Sequence, residues 1–179
     1  MSKIWFRAGE ATVLAKEGQF TDAMPEVVIG HVEGPVGTAF ATMMGQSAGH
    51  TRFFVIRDLN QMVRPATMMT SKVTISSAAY VDLFGGVVQG AIGDAIVDCL
   101  ADDTLPKDKA DDLCMIITVW LDARCADDAN LDKADLYRTN YEATKLAIRR
   151  AMRGEPTVKE LIANRKTIKH YALADVVEY

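Results

Sequence analysis

Few residues of this chain are spaced for familiar chemistry. His31, His50 and His170 stand far apart, so no H-x-x-x-H pair can hold a metal from one helix face. Cys99, Cys114 and Cys125 show neither C-x-x-C nor metal-ligand spacing. Three thiols in apolar or helical surroundings read as reduced cysteines of a cytoplasmic protein. There is no G-x-S-x-G elbow and no P-loop. "GPVG" (34–37) is too short to cradle a phosphate and reads as a turn, and the doublets Asp111–Asp112 and Asp127–Asp128 read as helix caps. What remains is "TDAMPEVVIG" (21–30), an apolar strand with Met24, Pro25 and Glu26 at its start and His31 just past its glycine.

Such residues need a frame, and the composition supplies an ordinary one. The chain has 179 residues, 49% hydrophobic and 25% charged, which fits a single domain over 1–179 with a sizeable core. A net charge of -4 argues against a nucleic-acid partner, because phosphate contacts demand a basic surface. "MSKIWFRAGE" carries no signal-peptide core, and "LCMIITVWL" (113–121) is too short to span a bilayer, so no membrane partner is expected.

β-Branched and aromatic enrichment predicts strands at 3–7, 10–15, 26–30, 52–58, 66–75 and 113–121, the last continuously apolar and so covered on both faces. Helices are predicted over 37–46 and after Ser76 and Ser77, where Tyr80, Phe84, Val88, Ala91 and Ala95 share a face. Gly85, Gly86, Gly90 and Gly93 interrupt that helix. Tight packing is the first explanation, and approach of a flat ligand the second. A T-x-x-E capping box at Thr139–Glu142 predicts a helix running to Gly154, and Thr157–Glu160 starts another. Ala143, Ala147 and Ala151 form a stripe suited to close helix packing, while Lys145, Arg149 and Arg153 form a solvated cationic stripe. The pattern is α/β, a two-layer α+β arrangement.

Several longer stretches are more specific. "GEATV" (9–13), "VIG", "GTAF" (37–40), "SKVTI" (71–75), "LPKDKADDL" (105–113) and "NYEATKLAIRRAMRGEP" (140–156) resemble the formaldehyde-activating enzyme family over residues 7 to 168. The resemblance implies a ribosomal protein S5 domain 2-like fold, assembled as a homopentamer with sites between neighbouring subunits. It also implies condensation of formaldehyde with tetrahydromethanopterin, as co-substrate and without a metal, to the 5,10-methylene derivative and water. A pterin nitrogen attacks the aldehyde to give a carbinolamine, an acid protonates the departing hydroxyl, and the second nitrogen closes the ring.

Carried over by position, the resemblance sets Lys72 and Thr74 at a pterin-contacting lysine and threonine, and Gln89 at a ligand-binding glutamine. Phe54 stands in place of a leucine, and Glu26 in place of an aspartate. Met24 occupies the position of the family's acid, a histidine, and "KADLYRT" (133–139) is an insertion. A thioether has no proton to give. Glu26 becomes the substitute acid if burial raises its carboxyl, an effect that Lys72 opposes, and His31 is the other candidate. Two readings therefore stand: an enzyme that still joins an aldehyde to a reduced pterin, and a pterin- or aldehyde-binding sensor, carrier or regulator with little turnover. A bulkier carbonyl substrate, or a Schiff base on Lys72, is a further variant of the first.

Overall fold

The structure, a computed structural model, describes residues 3–46, 51–75 and 77–173. His50 and the expected cap Ser76 lie outside the described residues.

Five strands form one mixed sheet in the order β1-β2-β5-β4-β3: β1 (Arg7–Glu10), β2 (Glu26–His31), β3 (Arg52–Phe54), β4 (Ala66–Ser71) and β5 (Leu113–Val119). β5 is central, antiparallel to β2 and parallel to β4. Its unbroken apolar run is explained by burial on both faces. One face carries Val27, Ile29, Met69, Met115 and Ile117 into the main core. The other carries Val28, Cys114 and Ile116 against Val36, Phe40 and Met43 of helix α1 (Pro35–Gly45). The expected two layers are present, and α1 adds a partial third.

The main helical layer is built from two long runs. α2 (Ala78–Leu83), a π-helical turn (Phe84–Val88) and α3 (Gln89–Ala101) continue as one helix, with Ser77 accepting the Tyr80 N–H as N-cap. By length and composition this helix could cross a membrane, but more than half of its apolar window is buried within the fold, and Tyr80, Phe84, Val88, Ile92 and Ile96 are at most 2% exposed. Of its glycines only Gly93 is crowded, where an added Cβ would stand 3.2 Å from the Arg57 side chain. A Cβ at Gly86 or Gly90 would meet nothing within 4 Å. Tight packing therefore explains one of the four glycines rather than all of them.

α4 (Lys133–Arg153) starts six residues before the expected capping box. Asp132 is its cap, accepting the N–H groups of Ala134 and Asp135. Thr139 is buried two turns inside, where its hydroxyl donates to the Thr21 carbonyl. The "KADLYRT" insertion is thus the first two turns of α4. Asp135, within it, is fully buried and accepts from the Thr21 hydroxyl, the Lys16 N–H and Arg138. Burial pushes that carboxyl up, and these donors together outweigh it and hold it below the ordinary range. α4 ends at Gly154, which takes the left-handed conformation at φ 66°. α5 (Val158–Asn164) opens with the expected Thr157–Glu160 capping box.

Strand boundaries moved for a steric reason. The expected strands 3–7 and 10–15 give way to the single strand β1 across their junction, where Gly9 faces α4. A Cβ on Gly9 would stand 2.3 Å from the Ala147 carbonyl oxygen and 2.6 Å from the Ala151 nitrogen. The alanine stripe of α4 thus accommodates a strand as well as helices. β4 stops at Ser71 because its hydroxyl donates to the Val73 carbonyl and accepts the Val73 N–H, closing a local turn. Of the acidic doublets, Asp127 is the C-cap of the short helical turn Ala123–Ala126, while Asp111 pairs with Arg64 and Asp128 accepts the Asn130 N–H within a turn. The cysteines are free and buried, and burial pushes the thiols of Cys99 and Cys125 up to about 12 and about 11, leaving them unreactive.

Gly9→Ala is expected to destabilise the fold by about 3 kcal/mol, the upper end for overpacking against backbone that cannot give way, as read from the midpoint of urea unfolding.

Candidate functional site

From Thr21 to Ile29 burial alternates without a break, odd residues inward and even residues toward the α1 side. The alternation therefore puts Met24 and Glu26 on one side of the chain, with buried Pro25 between them. Glu26 pairs in register with Thr118 of β5, which pairs with Thr70 of β4. Past β4, the Ser71 turn and the Lys72 N–H to Val119 carbonyl bond (2.8 Å) hold the chain against β5. From there the Lys72 ammonium reaches Glu26 Oε1 at 2.6 Å, while the Thr118 hydroxyl donates to Oε2 at 2.9 Å.

Glu26 is thereby an ionised carboxylate with both oxygens engaged. The hydrogen bond from Lys72 holds its carboxyl below the ordinary range, against a smaller upward push from burial, and Thr118 adds to the lowering. The condition set for Glu26 as acid, burial raising its carboxyl, is not met, because the opposing Lys72 charge dominates. His31 does not replace it. It ends the same strand five residues on, roughly 17 Å away at strand rise, and its Nδ1 accepts the Glu33 N–H. The group beside Glu26 that carries transferable protons is the Lys72 ammonium.

Glu26 also borders a cavity of about 620 Å³, walled by Ala8, Val28, Pro156 and Leu161 and passing Gly154 at the end of α4. The space suits a small organic ligand, for which pockets of about 300–1,000 Å³ are typical.

The remaining candidates lie elsewhere in the protomer. Phe54 stacks on Phe40 of α1 at a centroid distance of 5.7 Å. It lies on β3, three strands from β2 and so roughly 14 Å across the sheet from Glu26's strand. Gln89 is buried beside the π-turn, its amide oxygen accepting the Ile56 N–H and its nitrogen donating to the Gly85 carbonyl. Thr74 is exposed in the loop after β4. One protomer thus joins Glu26 with Lys72 and leaves Phe54, Thr74 and Gln89 apart from them. Thr118, which completes the pair's hydrogen bonding, was not singled out in the sequence. Its alternation with Ile116 in β5 was the available signal.

Comparison with known proteins converges on one assignment. The family model described as "Formaldehyde-activating enzyme (Fae)" matches residues 8–173. The chain belongs to the formaldehyde-activating enzyme family. It is 38% identical over 146 residues to a 5,6,7,8-tetrahydromethanopterin hydro-lyase of Methanosarcina barkeri, covering 81% of this chain and 79% of the relative. It is 35% identical over 168 residues to a bifunctional enzyme Fae/Hps of Methanothrix thermoacetophila, covering 92% of this chain and 40% of the relative. A bifunctional enzyme Fae/Hps of Archaeoglobus fulgidus is 33% identical over 158 residues, 88% of this chain and 38% of the relative. The chain thus spans about two fifths of those bifunctional relatives. Met24, at the position where the resemblance implies a histidine, stands two residues before a carboxylate that is already paired.

Replacing Lys72 with methionine is expected to raise the Glu26 carboxyl titration. Carbon-detected NMR would follow the side-chain carboxyl of Glu26 against pH in both proteins. In the wild type the Lys72 contact persists above the unfolded glutamate value and is lost as pH falls through the lowered folded value, so the midpoint must lie lower with Lys72 than without it.

Proposed function

We propose that this protein condenses formaldehyde with tetrahydromethanopterin, forming the 5,10-methylene derivative and water, and that the Lys72–Glu26 pair handles the proton that the family's histidine would otherwise supply. The observation that carries this reading is the Lys72 ammonium, 2.6 Å from a carboxylate that stays ionised. The named activity of the Methanosarcina barkeri relative supports the substrates.

The chemistry makes two opposite demands. Formation of the first carbon–nitrogen bond leaves a hydroxyl on the former aldehyde carbon, and its departure requires a proton on oxygen. Lys72 gives that proton, and the hydroxyl leaves as water. The carbon–nitrogen unit left behind is cationic, and Glu26 stabilises it as an opposite charge in contact. When the second pterin nitrogen bonds to that carbon it sheds a proton, which the neutral Lys72 amine takes back. Proton and charge are thus conserved over the cycle. Met24 serves as an apolar wall, excluding water without competing for the carboxylate.

The separation of Phe54 and Gln89 from the pair within one protomer supports a site completed by a neighbouring subunit. The reading accordingly includes a homopentamer of ribosomal protein S5 domain 2-like subunits, acting in the cytoplasm, where the free buried thiols stay reduced.

Purified protein is expected to accelerate methylene formation from formaldehyde and tetrahydromethanopterin above the spontaneous rate, followed spectrophotometrically. Lys72→Ala should lower kcat by about 10²–10⁴, the usual worth of a positioned acid, and Met24→His in that background should recover part of the loss. An unaccelerated wild-type reaction overturns the proposal. Light scattering tests the assembly separately, with a stable monomer as the contrary result.

A further inference from the structure

The end of β2 opposite Glu26 opens on a second cavity, of about 470 Å³. Lys3, Arg7 and Lys109 line it, with Asp112 as the lone carboxylate. Lys3 is paired with Glu33 at 3.0 Å, so Arg7 and Lys109 against Asp112 leave a net charge of one positive on the walls of a chain that is acidic as a whole. Two other nearby acids are occupied away from the cavity, Asp103 with Lys107 and Asp111 with Arg64. Among the described residues Arg7 and Lys109 have no ion-pair partner.

The cavity walls are fitted rather than draped. His31 N–H donates to the Ile4 carbonyl at 2.8 Å, tying the segment before β1 across the end of β2. This crossing is close enough to require glycine on both sides of it. A Cβ at Gly30 would stand 2.5 Å from the Trp5 carbonyl oxygen, and one at Gly34 would stand 2.8 Å from the Trp5 ring. The "GPVG" turn thus seats the segment that carries Lys3 and leads to Arg7. The opposite wall is the short helical turn Lys107–Lys109 with Pro106 before it. Ile4 and Leu113 supply apolar lining, and His31, whose Nδ1 accepts the Glu33 N–H, keeps Nε2 as its ring donor.

We propose that this cavity binds a small phosphate monoester, a ligand site separate from the pterin site. The dianion offers one charge to each of the two cations without an ion-pair partner, Arg7 and Lys109. Arg7 offers a planar fork to two phosphate oxygens, Lys109 and Lys3 act as mobile point charges, and the carbon skeleton rests on Ile4 and Leu113. A monocarboxylate would leave one of Arg7 and Lys109 unpaired, and a neutral ligand would leave both so. The size lies within the range of about 300–1,000 Å³ seen for small-molecule pockets.

Calorimetric titration of the full-length protein at low salt with glycerol 3-phosphate, and with glycerol and citrate as controls, tests this. Saturable binding of glycerol 3-phosphate is expected, with no heat from glycerol and weaker binding of citrate. The double variant Arg7→Ala, Lys109→Ala should bind at least about tenfold more weakly, since each side chain contributes a charged hydrogen bond. Its melting temperature without ligand should be unchanged, because both side chains lack partners. Lys72→Ala should bind normally, which separates this site from the pterin site. Absence of binding at millimolar glycerol 3-phosphate, citrate binding as tight or tighter, a loss smaller than tenfold, or an equal loss in Lys72→Ala overturns the proposal.

Discussion

The structure depends on a central strand that must be satisfied on all four sides. β5 has hydrogen-bonding partners at both edges and apolar side chains on both faces. A strand of this composition is stable only when neither face meets water. That requirement brings α3 and α4 to one face and the short helix α1 to the other. α1 covers Val28, Cys114 and Ile116 and stacks Phe40 on Phe54, and the row containing Glu26 and Thr118 lies outside that cover. The same constraint that closes the core therefore defines where polar chemistry can occur.

On that row the ion pair does more for reactivity than for stability. Glu26 is largely exposed, and surface pairs of this kind add only about 0–1 kcal/mol. Its consequence is the assignment of charge. Fixing Glu26 as the anion removes it as an acid and leaves the Lys72 ammonium as the donor that the proposed reaction would use. The Lys72 ammonium lies 2.6 Å from that carboxylate, within reach of the site that the proposed reaction would use.

Legibility in the sequence followed how local each determinant is. The burial of β5, the strand β2, the stop at Gly154 and the Thr157 capping box are set by residues within a few positions, and each was readable. The start of α4 was misread because T-x-x-E is also compatible with a helix interior once Thr139 is buried and bonded to Thr21, a contact across more than a hundred residues. β1 was split in two because nothing near Gly9 announces the α4 backbone that packs on it. The site was readable in part for the same reason. Met24 and Glu26 are sequence neighbours of a strand, whereas the Lys72 contact required the order of β2, β5 and β4. For Glu26 the sequence named both burial and the opposing Lys72 charge, and the structure shows that the charge outweighs burial.

Strand β2 carries this logic to both of its ends. Its inward residues, Val27 and Ile29, are fixed by the core, which makes the strand a rigid spacer of roughly 17 Å between Glu26 and His31. At the first end an alternation of side chains presents a carboxylate beside Met24. At the second, Gly30 and Gly34 clear space for the segment that bears Lys3. A charge introduced at either end has little electrostatic reach to the other, since the separation exceeds the screening length of about 8–10 Å at ordinary ionic strength. Any coupling between the two ends must therefore pass mechanically, through a strand held at both edges and packed on its inner face. A rigid element of that kind transmits displacement poorly until its packing itself switches. The geometry accordingly favours two sites that operate independently on one strand.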